Sequence, residues 1–218
     1  MAQKPSFAMA TLTILIACGG SVPQPPVDEP AARREVEGFF LRFRQRVQEG
    51  HADSLAAYLS KESLNWVDDM RRASRTESQA SLEQRPFYEI LSILALRVER
   101  RLNPSFDDRP TALLGKLVIE AYPVRKALLK TDLGEAHVFG SGVSERAEMG
   151  LREAPNVPVF HFVKENHVWK FHLFRSLPLI LQGAESLGRQ RKPTHLLQAI
   201  FILEQFGGKN VLPEDLKR

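Results

Sequence analysis

The chain has 218 residues, of which 43% are hydrophobic and 26% are charged, so its composition is that of a globular protein and excludes a fully disordered chain. Its length allows one domain, or one domain with an added terminal segment, and a core that needs no disulfides. The net charge of +4 is too small to indicate nucleic-acid binding, and we expect no nucleic-acid partner. With only one cysteine, Cys18, the chain cannot form an intramolecular disulfide.

The N-terminus carries the clearest pattern in the sequence. Residues 7–17 form an apolar run after a single cationic side chain, Lys4. The run is shorter than the roughly 20 residues that a membrane-spanning helix needs. Its length and its basic flank are typical of a secretory signal peptide. An N-terminal strand that is buried in a cytosolic protein and ends at Cys18 is the alternative interpretation.

The sequence Leu15-Ile16-Ala17-Cys18 is similar to the lipobox of bacterial lipoproteins. The resemblance implies that residues 1–17 are a lipoprotein signal peptide that is removed. It also implies that the Cys18 thiol receives a diacylglyceryl group and that the new amino group is acylated, for example with palmitate. Because Gly19 and not aspartate follows the cysteine, the same resemblance favours the outer membrane, with the protein facing the periplasm. A lipidated Cys18 is not available as a nucleophile.

Residues 18–30 are predicted to be a tether that starts at the lipidated cysteine and is rich in proline. Proline favours an extended backbone of about 3.1 Å per residue, which holds a folded domain roughly 30 Å from the lipid surface. We therefore expect the membrane to be one partner, through the lipid anchor. An envelope protein or an apolar ligand is the expected partner of the folded domain.

Helices are predicted over the first part of the folded region. Asp28 and Pro30 favour a helix start, and Gly50 favours its end. Apolar residues recur between them at helical spacing, namely Val36, Phe39, Phe40, Phe43 and Val47. One or two short helices are predicted over 53–72, and a third begins at Pro86 and ends near residues 103–104. Residues 111–121 fit a helix slightly better than a strand.

Strands are predicted after residue 132, at 133–142, 143–151, 157–164 and 167–174. The last two form a hairpin whose paired residue numbers sum to 331 or 333, because other registers mix apolar and polar side chains on one face. The apolar face carries Phe160, Phe162, Trp169, Phe171 and Leu173. The opposite face carries Val159, His161, Val163, Val168, Lys170 and His172. A final amphipathic helix is predicted over 194–206, closed by Gly207 and Gly208.

This order of elements resembles the nuclear transport factor 2-like (SnoaL-like) superfamily, and residues 163–170 are similar to the last hairpin of small lipoproteins with that fold. The resemblance extends roughly from residue 28 to residue 174. It implies an α+β fold in which N-terminal helices pack on a curved antiparallel sheet, as a cone. The expected domain is 31–178, followed by a C-terminal helical extension at 179–218.

Members of that superfamily include enzymes and binding domains, so the fold by itself does not give a function. Polar side chains that a pocket enzyme would use are Tyr88, Asp68, Asp69, His137, His161 and His172. None has a spacing that enforces contact, and we assign no catalytic residue, no metal site and no cofactor. His161 and His172 face each other in the register that sums to 333, but solvated histidines are the favoured interpretation. Candidate pocket residues are Tyr88, Trp66, Phe162, Trp169 and Phe171.

Three functions follow as hypotheses. The favoured one is a non-catalytic envelope domain that binds a protein partner or a ligand. A carrier of lipid or of an apolar small molecule would need a cavity of about several hundred Å³. A SnoaL-like pocket enzyme would need Asp68 or Asp69 to approach a histidine in a closed cavity.

Overall fold

The computed structural model describes residues 30–106, 108–140 and 145–217. Its first helix, α1, runs from Pro30 to Glu49 and buries the five apolar side chains that the spacing indicated. The helix ends where Gly50 adopts a left-handed backbone with a φ of 78°. The predicted helix is therefore confirmed, whereas its predicted cap, Asp28, lies outside the described residues.

Further helices follow before the sheet. They are α2 (Ala52–Leu55), α3 (Lys61–Thr76), α4 (Gln79–Leu82), α5 (Phe87–Leu102), α6 (Pro110–Leu114) and α7 (Tyr122–Lys130). A 3₁₀ turn, Ala56–Tyr58, joins α2 to α3, and Ser60 caps α3 by accepting a hydrogen bond from the Ser63 N–H at 3.2 Å. A π-helical segment, Gly115–Glu120, follows α6 directly. The helices predicted over 53–72, after Pro86 and over 111–121 are confirmed.

An antiparallel sheet of four strands comes next, in the spatial order β1-β2-β3-β4. The strands are β1 (Leu133–Phe139), β2 (Arg146–Leu151), β3 (Phe160–Glu165) and β4 (Val168–Phe171). Residues 141–144, predicted as the inner ends of the first two strands, lie outside the described residues. The α+β class and the antiparallel sheet are confirmed.

The β3–β4 hairpin has the register whose residue numbers sum to 333, since Phe162 pairs with Phe171 and Val163 with Lys170. Asn166 and His167 form its two-residue turn with φ angles of 49° and 63°. Two positive φ angles are the geometry of a type I′ turn, whose twist matches that of the strands it joins. The strand predicted as far as residue 174 is too long, because the chain turns into a helix at Leu173.

The C-terminal helices are α8 (Leu173–Ile180), α9 (Gln182–Arg191), α10 (His195–Gly207) and α11 (Pro213–Leu216). Thr194 caps α10 through its side-chain oxygen, and Gly208 closes the helix with a φ of 62°. The final helix is thereby confirmed. Helix α10 packs along α5, and its apolar residues Leu196, Ala199 and Ile202 belong to the same core as the sheet.

Aromatic rings fill the space between α1 and the sheet. The ring of Phe40 lies 4.8 Å from that of Phe160, 5.1 Å from that of Phe162 and 5.5 Å from that of Phe171. Phe43 lies 5.0 Å from Phe171. All five side chains are fully buried. Aromatic contacts at these distances stabilise the packing beyond the burial of their area, so α1 and the sheet form one aromatic layer.

A buried arginine joins the helices on the other side of the molecule. Arg97 of α5 is 1% exposed, and its guanidinium donates to the backbone carbonyls of Ala73 and Ser74 at the end of α3. It also donates to the carbonyl of Asp215 in α11 at 3.0 Å. The cation thus adds a donor to the carbonyls at the end of α3, where the Ala73 carbonyl also accepts the Glu77 backbone N–H at 3.0 Å.

Candidate functional site: a cavity among the helices

A cavity of about 80 Å³ lies among α3, α5, α7, α8, α10 and the π-helical segment. Most of its wall is apolar. Leu91 and Ala95 come from α5, Leu117 from the π-helical segment, and Leu177 and Ile202 from α8 and α10. We call this space the helix cavity. π-helical segments occur frequently at functional sites, and this one contributes part of the wall.

Trp66 also lines the helix cavity and supplies an unusual polar group. Its side chain is 6% exposed, and its indole Nε1 has no acceptor among the described residues. Leaving a buried N–H without a partner costs about 1–3 kcal/mol. A ligand or a water molecule with an acceptor oxygen would recover that free energy at this wall.

The rim of the helix cavity is charged. The Lys116 ammonium lies 3.2 Å from the Glu99 carboxylate and 2.7 Å from that of Glu120, and Lys209 also contacts Glu99. Burial lowers the pKa of Lys116, but the hydrogen bonds that its ammonium donates to the Glu120 and Glu99 carboxylates, together with their charge, outweigh burial and raise the pKa overall. The rim therefore holds its charges in pairs.

The predicted pocket residues do not lie together in the structure. Trp66 lines the helix cavity, whereas Tyr88 is not part of its wall. The rings of both residues lie 6.3 Å from that of Phe174. Burial raises the pKa of Tyr88. Phe162 and Phe171 instead fill the aromatic layer, where their rings lie 5.7 Å apart.

Trp169 lies at the edge of the sheet, on the strand that carries Phe171. Its Nε1 donates to the Glu35 carboxylate of α1 at 3.4 Å, and the Lys164 ammonium lies 5.2 Å from its ring centre. Lys164 in turn contacts Glu145 at 2.6 Å. These contacts join the hairpin to α1, so Trp169 stabilises the layer and lies away from the helix cavity.

Three histidines and one glutamate form a row across the outer face of the sheet. His137 pairs with Glu148, and Glu148 pairs with His161 in the strand register. His172 follows β4 and donates its backbone N–H to the His161 carbonyl at 2.8 Å. The predicted opposition of His161 and His172 is confirmed.

The interpretation of His161 and His172 as solvated is wrong, because they are only 8% and 6% exposed. Helix α8 covers this end of the sheet, and its Ser176 hydroxyl accepts a hydrogen bond from the His161 backbone N–H at 3.0 Å. The His172 Nε2 lies 2.7 Å from the exposed Glu62 carboxylate, and the His161 Nδ1 lies 3.4 Å from that of Glu148. The His172 Nδ1 is buried without a partner among the described residues.

Asp68 and Asp69 do not approach the histidines. Both lie on the exposed side of α3, where Asp68 contacts Arg71 at 2.8 Å and Asp69 contacts Arg85 at 3.4 Å. The acid–base pair that a SnoaL-like enzyme would need is therefore not assembled from these carboxylates. Within the described ranges, no group of three or more histidine, cysteine, aspartate or glutamate side chains has the geometry of a metal site.

Comparison with protein-family models, curated proteins and solved structures found no match to this chain. Among the helices in the described part of the chain, none has the length and apolar character to cross a bilayer. Cys18, the rest of the predicted signal peptide and the tether up to residue 29 lie outside the described residues.

Several residues of the site were not predicted. Glu62 and Glu148, the partners of the buried histidines, come from distant segments, and only the strand register that pairs Glu148 with His161 would have indicated one of them. The sequence did indicate that α10 contributes to a second apolar environment. Residues 199–203 are consecutively apolar, which exceeds what a helix buried on one face needs.

The buried histidines predict a dependence of stability on pH. Burial lowers the pKa of both His161 and His172 below the ordinary value of 6.5, outweighing the attraction of Glu148 and Glu62. The unfolded chain then binds protons at a higher pH than the folded one. We expect the free energy of unfolding, measured by urea denaturation, to be fully retained above about pH 6.5 and to fall below it.

The double variant His161→Gln/His172→Gln should show a shallower fall between about pH 6.5 and pH 5. His51→Gln, which changes an exposed histidine, is the matched control and should keep the wild-type slope. A wild-type free energy of unfolding that stays constant or rises over this range would contradict the burial argument.

Proposed function

We propose that this protein is a lipid-anchored lipoprotein of the bacterial cell envelope whose folded domain binds a small, largely apolar ligand without catalysing a reaction. The ligand places an acceptor oxygen on the Trp66 indole N–H and its apolar part against the wall of the helix cavity. The observation that carries the proposal is Trp66, which lines the mostly apolar cavity and whose buried Nε1 has no acceptor among the described residues.

The volume of the helix cavity limits the ligand. Because a water molecule occupies about 30 Å³ in the liquid, the cavity holds a group about as large as three waters. Carriers of whole lipids need about 300 Å³ or more, so the helix cavity favours a small ligand, or one end of a larger one, over an enclosed lipid. Aromatic rings fill the space between α1 and the last hairpin. The concavity of about 610 Å³ between α1 and the first two strands is open to solvent and has Glu37, Glu135 and Arg152 in its lining, so it does not enclose an apolar lipid.

The proposal also includes a fold assignment that is more specific than the α+β class. We infer that the sheet and α1 represent a nuclear transport factor 2-like cone in which the aromatic layer occupies the concave side. Support comes from the confirmed order of elements and from the antiparallel hairpin with its Trp-Lys pair at residues 169–170.

The envelope location rests on the N-terminal sequence. The apolar run at 7–17, the lipobox that ends at Cys18 and the proline-rich residues that follow it agree with one another. Two or more acyl chains give stable membrane attachment, so a tethered domain at the outer membrane, facing the periplasm, is the proposed arrangement.

A small ketone tests the proposed binding site. In the Trp169→Phe variant Trp66 is the single remaining tryptophan, so its indole N–H gives one NMR signal. We expect 2-butanone at millimolar concentration to move this signal downfield in a saturable way, because its acetyl end, with three non-hydrogen atoms, enters the helix cavity and its carbonyl accepts the hydrogen bond. The isostere 2-methyl-1-butene, which lacks the acceptor, should produce a smaller shift.

The matched control is Trp66→Phe, in which the Trp169 indole signal should not respond to 2-butanone. Equal, non-saturating shifts with the ketone and the alkene would contradict the proposed site.

Lipidation of Cys18 is tested by metabolic labelling with palmitate. Expressed in a diderm bacterium, the wild-type chain should incorporate the label, and Cys18→Ala should accumulate as an unlabelled, unprocessed precursor. Ser21→Ala, a change in the same tether, is the control that should remain labelled. Label in Cys18→Ala would overturn the lipoprotein assignment.

A further inference from the structure

A second concave site lies beside the helix cavity, on the outside of the molecule. It has a volume of about 370 Å³ and runs between α7 on one side and α9 and α10 on the other. Its floor is apolar and includes Ile180, Ala184, Leu187 and Phe206. We call it the three-helix groove.

Charge is confined to one side of the three-helix groove. The charged side chains in its lining are Lys126 and Lys130, which are exposed and lie one turn apart on the same face of α7. Arg125 of the same helix is also exposed. A ligand in this groove therefore meets an apolar floor and a cationic edge, which is the chemistry that complements an anionic amphiphile.

Two features indicate that the floor is available to an apolar chain. The Phe206 side chain is 44% exposed, although it is among the largest apolar residues of the protein. Gly183, which also lines the groove, has open space around the position that a Cβ would take. Covering Phe206 and the floor would remove apolar surface from water, which drives the binding of an acyl chain.

We propose that the three-helix groove binds a single-chain fatty acid, with its carboxylate at Lys126 and Lys130 and its acyl chain along the floor to Phe206. A methylene is similar in size to a water molecule, so 370 Å³ holds about a dozen such groups. A chain of about twelve carbons is the expected length. The groove and the helix cavity share Pro123, Ile202 and Phe206 as walls, but this proposal does not depend on a ligand in the cavity.

Dodecanoate, below its critical micelle concentration, is the probe. Isothermal titration calorimetry with the full-length chain should give saturable binding with one site. Lys126→Gln and Lys130→Gln should each weaken it about threefold, as expected for exposed ion pairs. Lys192→Gln, which removes an exposed lysine outside the groove lining, should leave it unchanged.

Gly183→Trp blocks the groove with a side chain whose Cβ meets no other atom, so the fold should tolerate it. We expect dodecanoate affinity to fall about tenfold or more because the acyl chain loses its floor. In the Trp169→Phe background, the indole signal that is present before Gly183→Trp is introduced belongs to Trp66. Its response to 2-butanone should persist, which separates failure of the groove from failure of the helix cavity. If Gly183→Trp destabilises the fold, methyl NMR of the wild type replaces it, and dodecanoate should shift the methyl signals of Ile180 and Leu187, which line the groove and not the helix cavity.

Three results would overturn the proposal. The first is the absence of dodecanoate binding. The second is binding that Trp66→Phe abolishes and Gly183→Trp does not, since the fatty acid would then occupy the helix cavity. The third is lysine-dependent binding to phosphatidylglycerol vesicles with no binding of monomeric dodecanoate, since the groove would then dock on a membrane surface.

Discussion

The packing of the α1 phenylalanines on the last hairpin leaves no room for a ligand between these two elements. Phe40 contacts rings from both strands of the last hairpin at centroid distances of 4.8–5.5 Å, and Phe43 adds a further contact to Phe171. Truncating one buried phenylalanine to alanine in such a layer costs about 3–5 kcal/mol, so a single ring represents a large part of a domain's net stability. Side chains therefore fill the space between α1 and the last hairpin.

Both proposed binding sites therefore lie among the helices, whereas the concavity of about 610 Å³ between α1 and the first two strands is an open hollow at the surface. Helices α8 to α10 follow the sheet, pack against α5 and α7, and create both the helix cavity and the three-helix groove. Arg97 stabilises the same region, because its guanidinium joins the end of α3 to α11 through backbone carbonyls. The proposed ligand sites thus depend on the C-terminal helices. The sheet supports these helices and carries the row of histidines on its outer face.

The sequence predicted those features that depend on local periodicity. Helix α1, the α5 start at Pro86 and the hairpin register follow from the spacing of apolar side chains and from turn chemistry. Burial of His161 and His172 did not follow, because it requires α8 to fold back over the sheet after residue 172. Among the candidate pocket residues, only Trp66 lines the helix cavity. Assigning Phe162 and Phe171 to a pocket failed because periodicity identifies an apolar face but not the side chains that cover it.

A crystal of the protein under xenon pressure shows whether an apolar cavity lies among the helices, because xenon enters apolar cavities that are large enough to hold it. The account predicts a xenon site against Trp66 and Leu117 in the helix cavity and none between Phe40 and the sheet. Xenon density between Phe40 and Phe162, with none beside Trp66, would contradict it, because the free volume would then lie under the sheet and not among the helices.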